Sequence, residues 1–216
     1  GNDYAAFMGV PTDPVPALRA LLDGVDREWD VGQVGEQPFL NTVGFVLSSS
    51  VSYHSRHTGA LTGLFRYGLA AARAVGRHRP SRMGFDGLAA SGDHWISLME
   101  VGVGDRCGGG FRLTARADPA DGLLDVCILE AMPRWRIPLL LPGALRGRHL
   151  GHPRVIYEQV PGFRLRLENE ELIHVDGELR RLPRGEHSLR IRPRALRVRL
   201  PRARAESLDA RREARS

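Results

Sequence analysis

The chain has 216 residues, a formal net charge of +6 and a pI near 10.3. Its 42 % hydrophobic content supports a real core, yet no apolar run approaches the roughly 20 residues of a membrane-spanning helix. All 31 basic residues are arginine, so no lysine is available as a nucleophile or phosphate ligand, and the basic balance favours anionic partners such as nucleotides or acidic lipids.

Residues 14–23 read as a short helix stopped by Gly24, and 26–34 and 37–47 as strands joined at Gly35-Glu36. Residues 60–77 are the best helix candidate, with Leu61, Leu64, Phe65, Leu69, Ala72 and Val75 near helical spacing. Strands at 82–90 and 94–101 form a hairpin across Ser91-Gly92-Asp93. An apolar strand at 123–130 precedes a helical stretch at 133–147. From 153 onward strands dominate: Phe163, Leu165 and Leu167 alternate with Arg164, Arg166 and Glu168, and further strands fall near 171–176, 178–182, 187–192 and 195–200. Many short strands with turns between them predict an antiparallel sandwich or barrel. The tail, 202–216, reads as frayed helix or disorder.

Two segments carry the densest acid chemistry: Asp118-Pro-Ala-Asp121-Gly-Leu-Leu-Asp125 and His174-Val-Asp176-Gly-Glu178. Asp-Gly is a common hairpin turn, and on a continuous strand Asp176 and Glu178 would share one face. The first segment either wraps a hard cation with Asp118, Asp121 and a carbonyl, or is a solvated loop capped by its own carboxylates. Asp125 suits a structural partner. Gly108-Gly109-Gly110 either approaches a phosphate or packs backbone closely. The pairs His54/His57 and His149/His152 read as surface residues, and Ser48-Ser49-Ser50 has no neighbouring histidine or acid in sequence. Cys107 and Cys127 have no metal-ligand spacing; they suit core positions in a reducing, cytoplasmic setting. With 6 % aromatic residues and no recognition motif, nucleic acid is not an expected partner.

The ordered series Gly1-Asn2-Asp3-Tyr4-Ala5, Gly9-Val10-Pro11, Phe39-Leu40-Asn41-Thr42-Val43-Gly44, Asp86-Gly87, Gly108-Gly109-Gly110, Asp118 to Asp125, Asp176-Gly177-Glu178 and Pro193-Arg194-Ala195-Leu196 resembles the diacylglycerol kinase catalytic family. That family includes soluble bacterial lipid kinases and the sphingosine and ceramide kinases. The resemblance implies a mainly β fold with flanking helices, an antiparallel β-sandwich that is the C-terminal domain of the NAD kinase/diacylglycerol kinase-like fold. It implies a remnant of the ATP-binding domain at 1–24, the sandwich at 25–201 and a basic, disordered tail at 202–216.

By this resemblance Asp176 is the general base toward a lipid hydroxyl. Asn2, Asp3 and Glu178 serve the ATP·Mg²⁺ site, and Asp118, Asp121 and the Leu123 carbonyl hold a second, structural Mg²⁺. The Gly-Gly-Asp-Gly-Thr nucleotide loop of the family is not in the chain, so the chain alone is expected to be inactive. The expected partners are a diacylglycerol-like lipid, an anionic membrane touched peripherally with help from 137–145, and a second copy of the chain. Two departures stand out. Residues 44–51 lack the acid that the family carries after its Asn-x-x-Gly stretch, and Glu100 stands where the family tends to have Asn. They leave open a pseudokinase or a lipid-binding module without catalysis.

Overall fold

The structure, a computed structural model, describes residues 3–55 and 63–213. Its helices are α1 (Asp3–Phe7), α2 (Pro14–Leu22), α3 (Leu47–Ser55), α4 (Gly63–Arg77), α5 (Leu141–Ala144) and α6 (Arg202–Glu213), with 3₁₀ segments at Arg134–Leu140 and Arg148–Gly151. The strands are β1 (Val25–Val34), β2 (Gln37–Phe39), β3 (Thr42–Val46), β4 (Ser81–Asp86), β5 (Gly92–Gly102), β6 (Leu124–Glu130), β7 (Val155–Val160), β8 (Gly162–Leu167), β9 (Glu171–Val175), β10 (Glu178–Leu182) and β11 (Gly185–Leu200).

All pairings are antiparallel, in the order β10-β9-β3-β5-β4-β8-β11-β1-β2, with β6 added to β5 and β7 to β6. β5 is the strand that joins the layers. It pairs with β4 over 92–96, with β3 over 98–102 and with β6 over 96–102. The sheet therefore folds back on itself as a sandwich-like half-barrel, and Phe39, Phe45, Met83, Met99, Leu165 and Ile173 meet in one core. A second cluster joins Phe7 and Trp29 to Ala205 and Leu208 of α6. A third lies under α4 and the Arg134–Leu140 segment. α2 buries none of its residues and turns Val15, Leu18 and Leu22 outward.

Several elements depart from the sequence reading, each for a local reason. The expected strand 37–47 breaks at Leu40-Asn41, because the N–H groups of residues 40–42 turn to a side chain rather than to a strand. β3 ends at Val46, which takes a left-handed φ of 58°, so Leu47, the last residue of the expected strand, already begins α3. The helical stretch expected at 133–147 is 3₁₀ over Arg134–Leu140 and one short α-turn over Leu141–Ala144; Pro138 and Pro142 remove two of the donors a continuous α-helix needs. The strands expected at 187–192 and 195–200 are one, β11. Asp30, at the bulge in β1, accepts from Arg194 N (2.8 Å) where the backbone kinks at φ 52°, and pairing with β1 continues on both sides. The disordered tail is corrected over 202–213: Ala205 and Leu208 are buried against Trp29, and Arg204 Nε donates to the Phe7 carbonyl at 2.6 Å. Of the expected helix at 60–77, residues 60–62 lie outside the described residues.

Candidate functional site

Asp176 and Gly177 are the two central residues of the β9–β10 hairpin, with φ of 50° and 84°. Positive φ at both positions is the turn geometry that Asp-Gly favours. Asp176 therefore leaves the strand, and the expectation that it shares a strand face with Glu178 is corrected. Its carboxylate turns back on the break before β3. Oδ2 accepts from Leu40 N at 2.8 Å, and Oδ1 from Asn41 N at 2.9 Å and Thr42 N at 3.0 Å. A carboxylate offers about four lone-pair sites, so one remains for another donor. The residue is exposed, as is Glu178, whose Oε2 stands 3.9 Å from Arg180 Nη1.

The N-terminal residues come to the same place. Burial first, and then the Asp176 charge, raise the pKa of the Tyr4 hydroxyl to about 12. Asp3 Oδ2 accepts from Gly109 N at 2.9 Å, so one amide of the glycine run already serves a carboxylate. Gly108, Gly109 and Gly110 all have positive φ and shape a turn closed by the Cys107–Phe111 bridge. Asn41 Nδ2 donates to the Arg106 carbonyl at 2.8 Å and ties this turn to the break before β3. Asp3, Tyr4, Asn41, Asp176 and the 104–111 turn are thus one neighbourhood. Asn2 lies outside the described residues.

Behind the hairpin lies a cluster with no signal in local sequence. Glu100 is wholly buried, His174 is 4 % exposed and Ser48 is 8 % exposed. Ser48 Oγ donates to Glu100 Oε2 at 2.5 Å and stands 2.9 Å from His174 Nε2, which is 3.4 Å from Glu100 Oε1. Burial pushes the Glu100 carboxyl up, but the His174 charge and hydrogen bonds from His174, Ser48 and Thr42 hold it below its usual value. Gly44 makes room: a Cβ there would run into all three side chains. Acid and serine both address Nε2 and leave Nδ1 without a partner, unlike a hydrolytic relay in which the acid orients Nδ1. Ser48, Ser52 and His174 are the polar side chains in the wall of a mostly apolar cavity of ≈ 70 Å³, with Leu47, Val51, Leu98, Phe111 and Leu141 among the other lining residues.

The acidic loop 118–123 is a separate place. Asp118 is held by Arg212 of α6 through both oxygens, at 2.6 and 2.7 Å. Asp121 Oδ1 accepts from Leu123 N at 2.9 Å. The Asp121 carboxyl is pushed up to about 6, first by desolvation and further by the charges of Asp118 and Asp30. Crowded carboxylates are what a divalent cation relieves, so the donor set fits in charge; in occupancy, Arg212 holds the position on Asp118. Among the described residues no group of three or more His, Cys, Asp or Glu side chains is placed to hold a metal ion. Asp125 is buried and structural: Tyr157 Oη and Gln159 Nε2 donate to it.

The surface reading of the histidines is corrected at His149, which is buried beside Cys127 Sγ (3.6 Å) and the Leu113 carbonyl (3.3 Å). Burial, partly offset by that carbonyl, lowers its pKa. His57 lies outside the described residues. Both cysteines are free and buried, and no described helix is long and apolar enough to cross a membrane.

The architecture and this neighbourhood define a β-sandwich domain that joins an apolar cavity to a carboxylate-bearing hairpin. A family model described as the YegS C-terminal NAD kinase beta sandwich-like domain matches residues 41–200, and the chain belongs to that family. It is 33 % identical over 214 residues to a probable lipid kinase YegS-like of Pseudomonas putida, a match covering 93 % of this chain and 65 % of that protein. It is 26 % identical to a diacylglycerol kinase of Bacillus subtilis, covering 96 % of this chain and 69 % of the relative. The chain thus spans about two thirds of the length of these relatives. A crystal structure of a diacylglycerol kinase from Bacillus anthracis shares the fold, with a TM-score of 0.60 at 16 % identity, over 91 % of this chain and 62 % of that one.

Proposed function

We propose that this chain is the lipid-binding, base-bearing part of an ATP-dependent lipid kinase that transfers the γ-phosphoryl group of ATP to a hydroxyl of a diacylglycerol-like lipid. The relatives' names support the reaction class. One observation carries the reading. Strand β9 places His174 in the wall of the apolar cavity and leads directly into Asp176 on the exposed hairpin. A lipid chain in the cavity can therefore present its head toward Asp176.

In that arrangement the lipid hydroxyl bonds to the remaining acceptor site of Asp176. Its oxygen attacks the γ-phosphorus, the bond to the β–γ bridging oxygen breaks, and the hydroxyl proton ends on Asp176. Phosphoryl transfer has a loose transition state, so the carboxylate chiefly orients the nucleophile and takes the proton late. A Mg²⁺ bound with the nucleotide would supply positive charge that offsets the charge on the phosphates. Asn2, Asp3 and Glu178 are assigned to the nucleotide side of the hairpin, with the main hold on ATP lying in sequence outside this chain. Asp121, the Leu123 carbonyl and, in exchange for Arg212, Asp118 are assigned to a Mg²⁺ remote from the reaction. On this reading the protein works on the cytoplasmic side of a membrane, where ATP is available.

The test is transfer of labelled phosphate from ATP to dispersed diacylglycerol by the intact protein and its Asp176→Asn variant. The expected result is loss of transfer with a thermal midpoint shifted only modestly, since the asparagine amide forfeits the bond from Leu40 N, worth about 1 kcal/mol. Undiminished transfer rejects Asp176 as base. A second reading, a lipid-binding module without catalysis, is favoured by one observation: three backbone amides already occupy this carboxylate. Vesicle binding with no ATP consumption in the intact wild-type protein would establish that reading instead.

A further inference from the structure

The segment 134–144 has two unlike faces. Inward, Leu141 and Ala144 line the ≈ 70 Å³ cavity, while Ile137 and Leu140 join them around an adjoining apolar cavity of ≈ 60 Å³. Outward, Trp135 is 65 % exposed and Leu139, four residues on, is 71 % exposed. The Arg136 guanidinium lies over the Trp135 ring, 4.8 Å from its centroid. Arg134 is exposed and donates to the Gly76 carbonyl at 3.1 Å, which fixes the segment against the end of α4. Trp95, 59 % exposed, accepts through its backbone carbonyl from Ala131 N just ahead of this segment, and the exposed Arg154 donates to the Ala131 carbonyl. The neighbouring acid, Glu130, is turned toward His94 at 3.9 Å.

Isolated exposed apolar residues are ordinary on a protein surface. Here a tryptophan and a leucine project together from a short proline-stiffened segment, between arginines, on the outside of an apolar cavity. Trp and Arg are side chains that suit the water–lipid boundary: the indole sits at headgroup level, and a long cationic side chain keeps its stem in apolar surroundings and its charge in water. A stable protein partner would need on the order of 1,000 Å² or more of buried surface, far beyond what these two side chains offer.

We propose that Trp135 and Leu139, flanked by Arg134 and Arg136, insert into the surface of an anionic lipid bilayer and seat the two cavities behind them at the level of the acyl chains. The contact gives the lipid-kinase reading its route of substrate entry and to that extent rests on it, but it is measured without turnover. The sequence reading placed the membrane contact on 137–145; Ile137, Leu140, Leu141 and Ala144 of that stretch line the cavities, and the contact proposed here is made by Trp135 and Leu139.

The test is flotation of the 216-residue chain with vesicles of phosphatidylglycerol and phosphatidylcholine, alongside the fluorescence of a Trp95→Phe background. In that background Trp29, buried, reports the fold and Trp135 reports the contact. Binding to phosphatidylglycerol vesicles should shift emission to the blue and be quenched by brominated lipid. Trp135→Ala and Leu139→Ala should each weaken partitioning about tenfold. Arg134→Ala and Arg136→Ala should each weaken it about fivefold on anionic vesicles and little on neutral ones. Equal flotation of wild type and Trp135→Ala/Leu139→Ala, with Trp29 emission unchanged, overturns the proposal. So does a wild-type chain that ignores vesicles but whose sedimentation shows a dimer abolished by the same double substitution. Vesicle binding without phosphate transfer in the intact protein would remove the kinase reading and leave this surface standing.

Discussion

Ser48 gives its hydroxyl hydrogen to Glu100 Oε2 across 52 residues of sequence, at 2.5 Å and out of reach of solvent. The serine run after β3 and Glu100 of β5, two places where the sequence departs from the pattern of the family it resembles, thus meet in the structure, with His174 completing the group.

His174→Ala should cost about 1–3 kcal/mol in a urea titration, because it leaves the Glu100 carboxylate buried without the imidazole beside it. Adding Glu100→Gln to that variant should restore most of the loss. The folded-state pKa of Glu100 is lowered, so its contribution is present above the unfolded carboxyl value near 4.3 and disappears as pH falls through the folded value. Equal stability of the single and double variants would show that the two side chains are not coupled.

Val46→Gly should leave the fold intact and raise its stability by up to about 1 kcal/mol. A left-handed conformation costs a β-branched residue about 1–2 kcal/mol, part of which the extra freedom of glycine in the unfolded chain takes back. Thermal unfolding of the variant checks this, and a drop of more than 1 kcal/mol would mean that the Val46 side chain packs more tightly than its partial burial indicates.

Asp121→Asn should stabilise the protein at pH 7 and leave it little changed at pH 4. The folded-state pKa is raised to about 6 from an unfolded value near 3.9, so the stabilising effect of its protonated form is complete below about 4 and is lost as pH rises through about 6. The asparagine keeps the acceptor for Leu123 N. Wild-type and variant melting curves that differ equally at both pH values would contradict the shift.

Arg212→Ala should tighten Mg²⁺ binding at the 118–123 loop, because it frees Asp118 Oδ2 and leaves only Ala120 N on Oδ1 while removing the positive charge that offsets the loop's carboxylates. Calorimetric titration with MgCl₂ reads this directly. If neither form binds Mg²⁺, the loop is not a metal site and Arg212 is its permanent counter-charge.

Leu208→Ala should destabilise by about 2–3 kcal/mol, since Leu208 is buried with Trp29 and Phe7 rather than lying on a loose tail. Urea unfolding checks the value. An effect below 0.5 kcal/mol would mean that α6 does not hold its place in solution.

Much of the sheet was legible because its signals are local. The alternation over 163–167, the Asp-Gly turn at 176–177 and the apolar run at 124–130 each determine a strand or turn from neighbouring residues. What escaped depends on partners far away in the chain. The break at Leu40-Asn41 exists because Asp176 draws three amides to itself from about 135 residues away. The buried Ser48–Glu100–His174 group needs three strands in register before its members meet, and its only local trace is Gly44. The tail reads as polar because Ala205 and Leu208 are the few residues of α6 that touch the core. The ordered motif series pointed to Asp3 and Asp176, which the fold brings into one neighbourhood, but carries no trace of the three backbone amides that take up most of Asp176's acceptor capacity.

Under the lipid-kinase proposal, those three amide bonds also decide which part of the enzyme can move. An anchored carboxylate cannot swing toward a nucleotide without tearing Leu40, Asn41 and Thr42 from it and unseating the start of β3. Any open-to-closed transition must therefore be carried by whatever holds the nucleotide, while the acceptor side waits with its geometry already set.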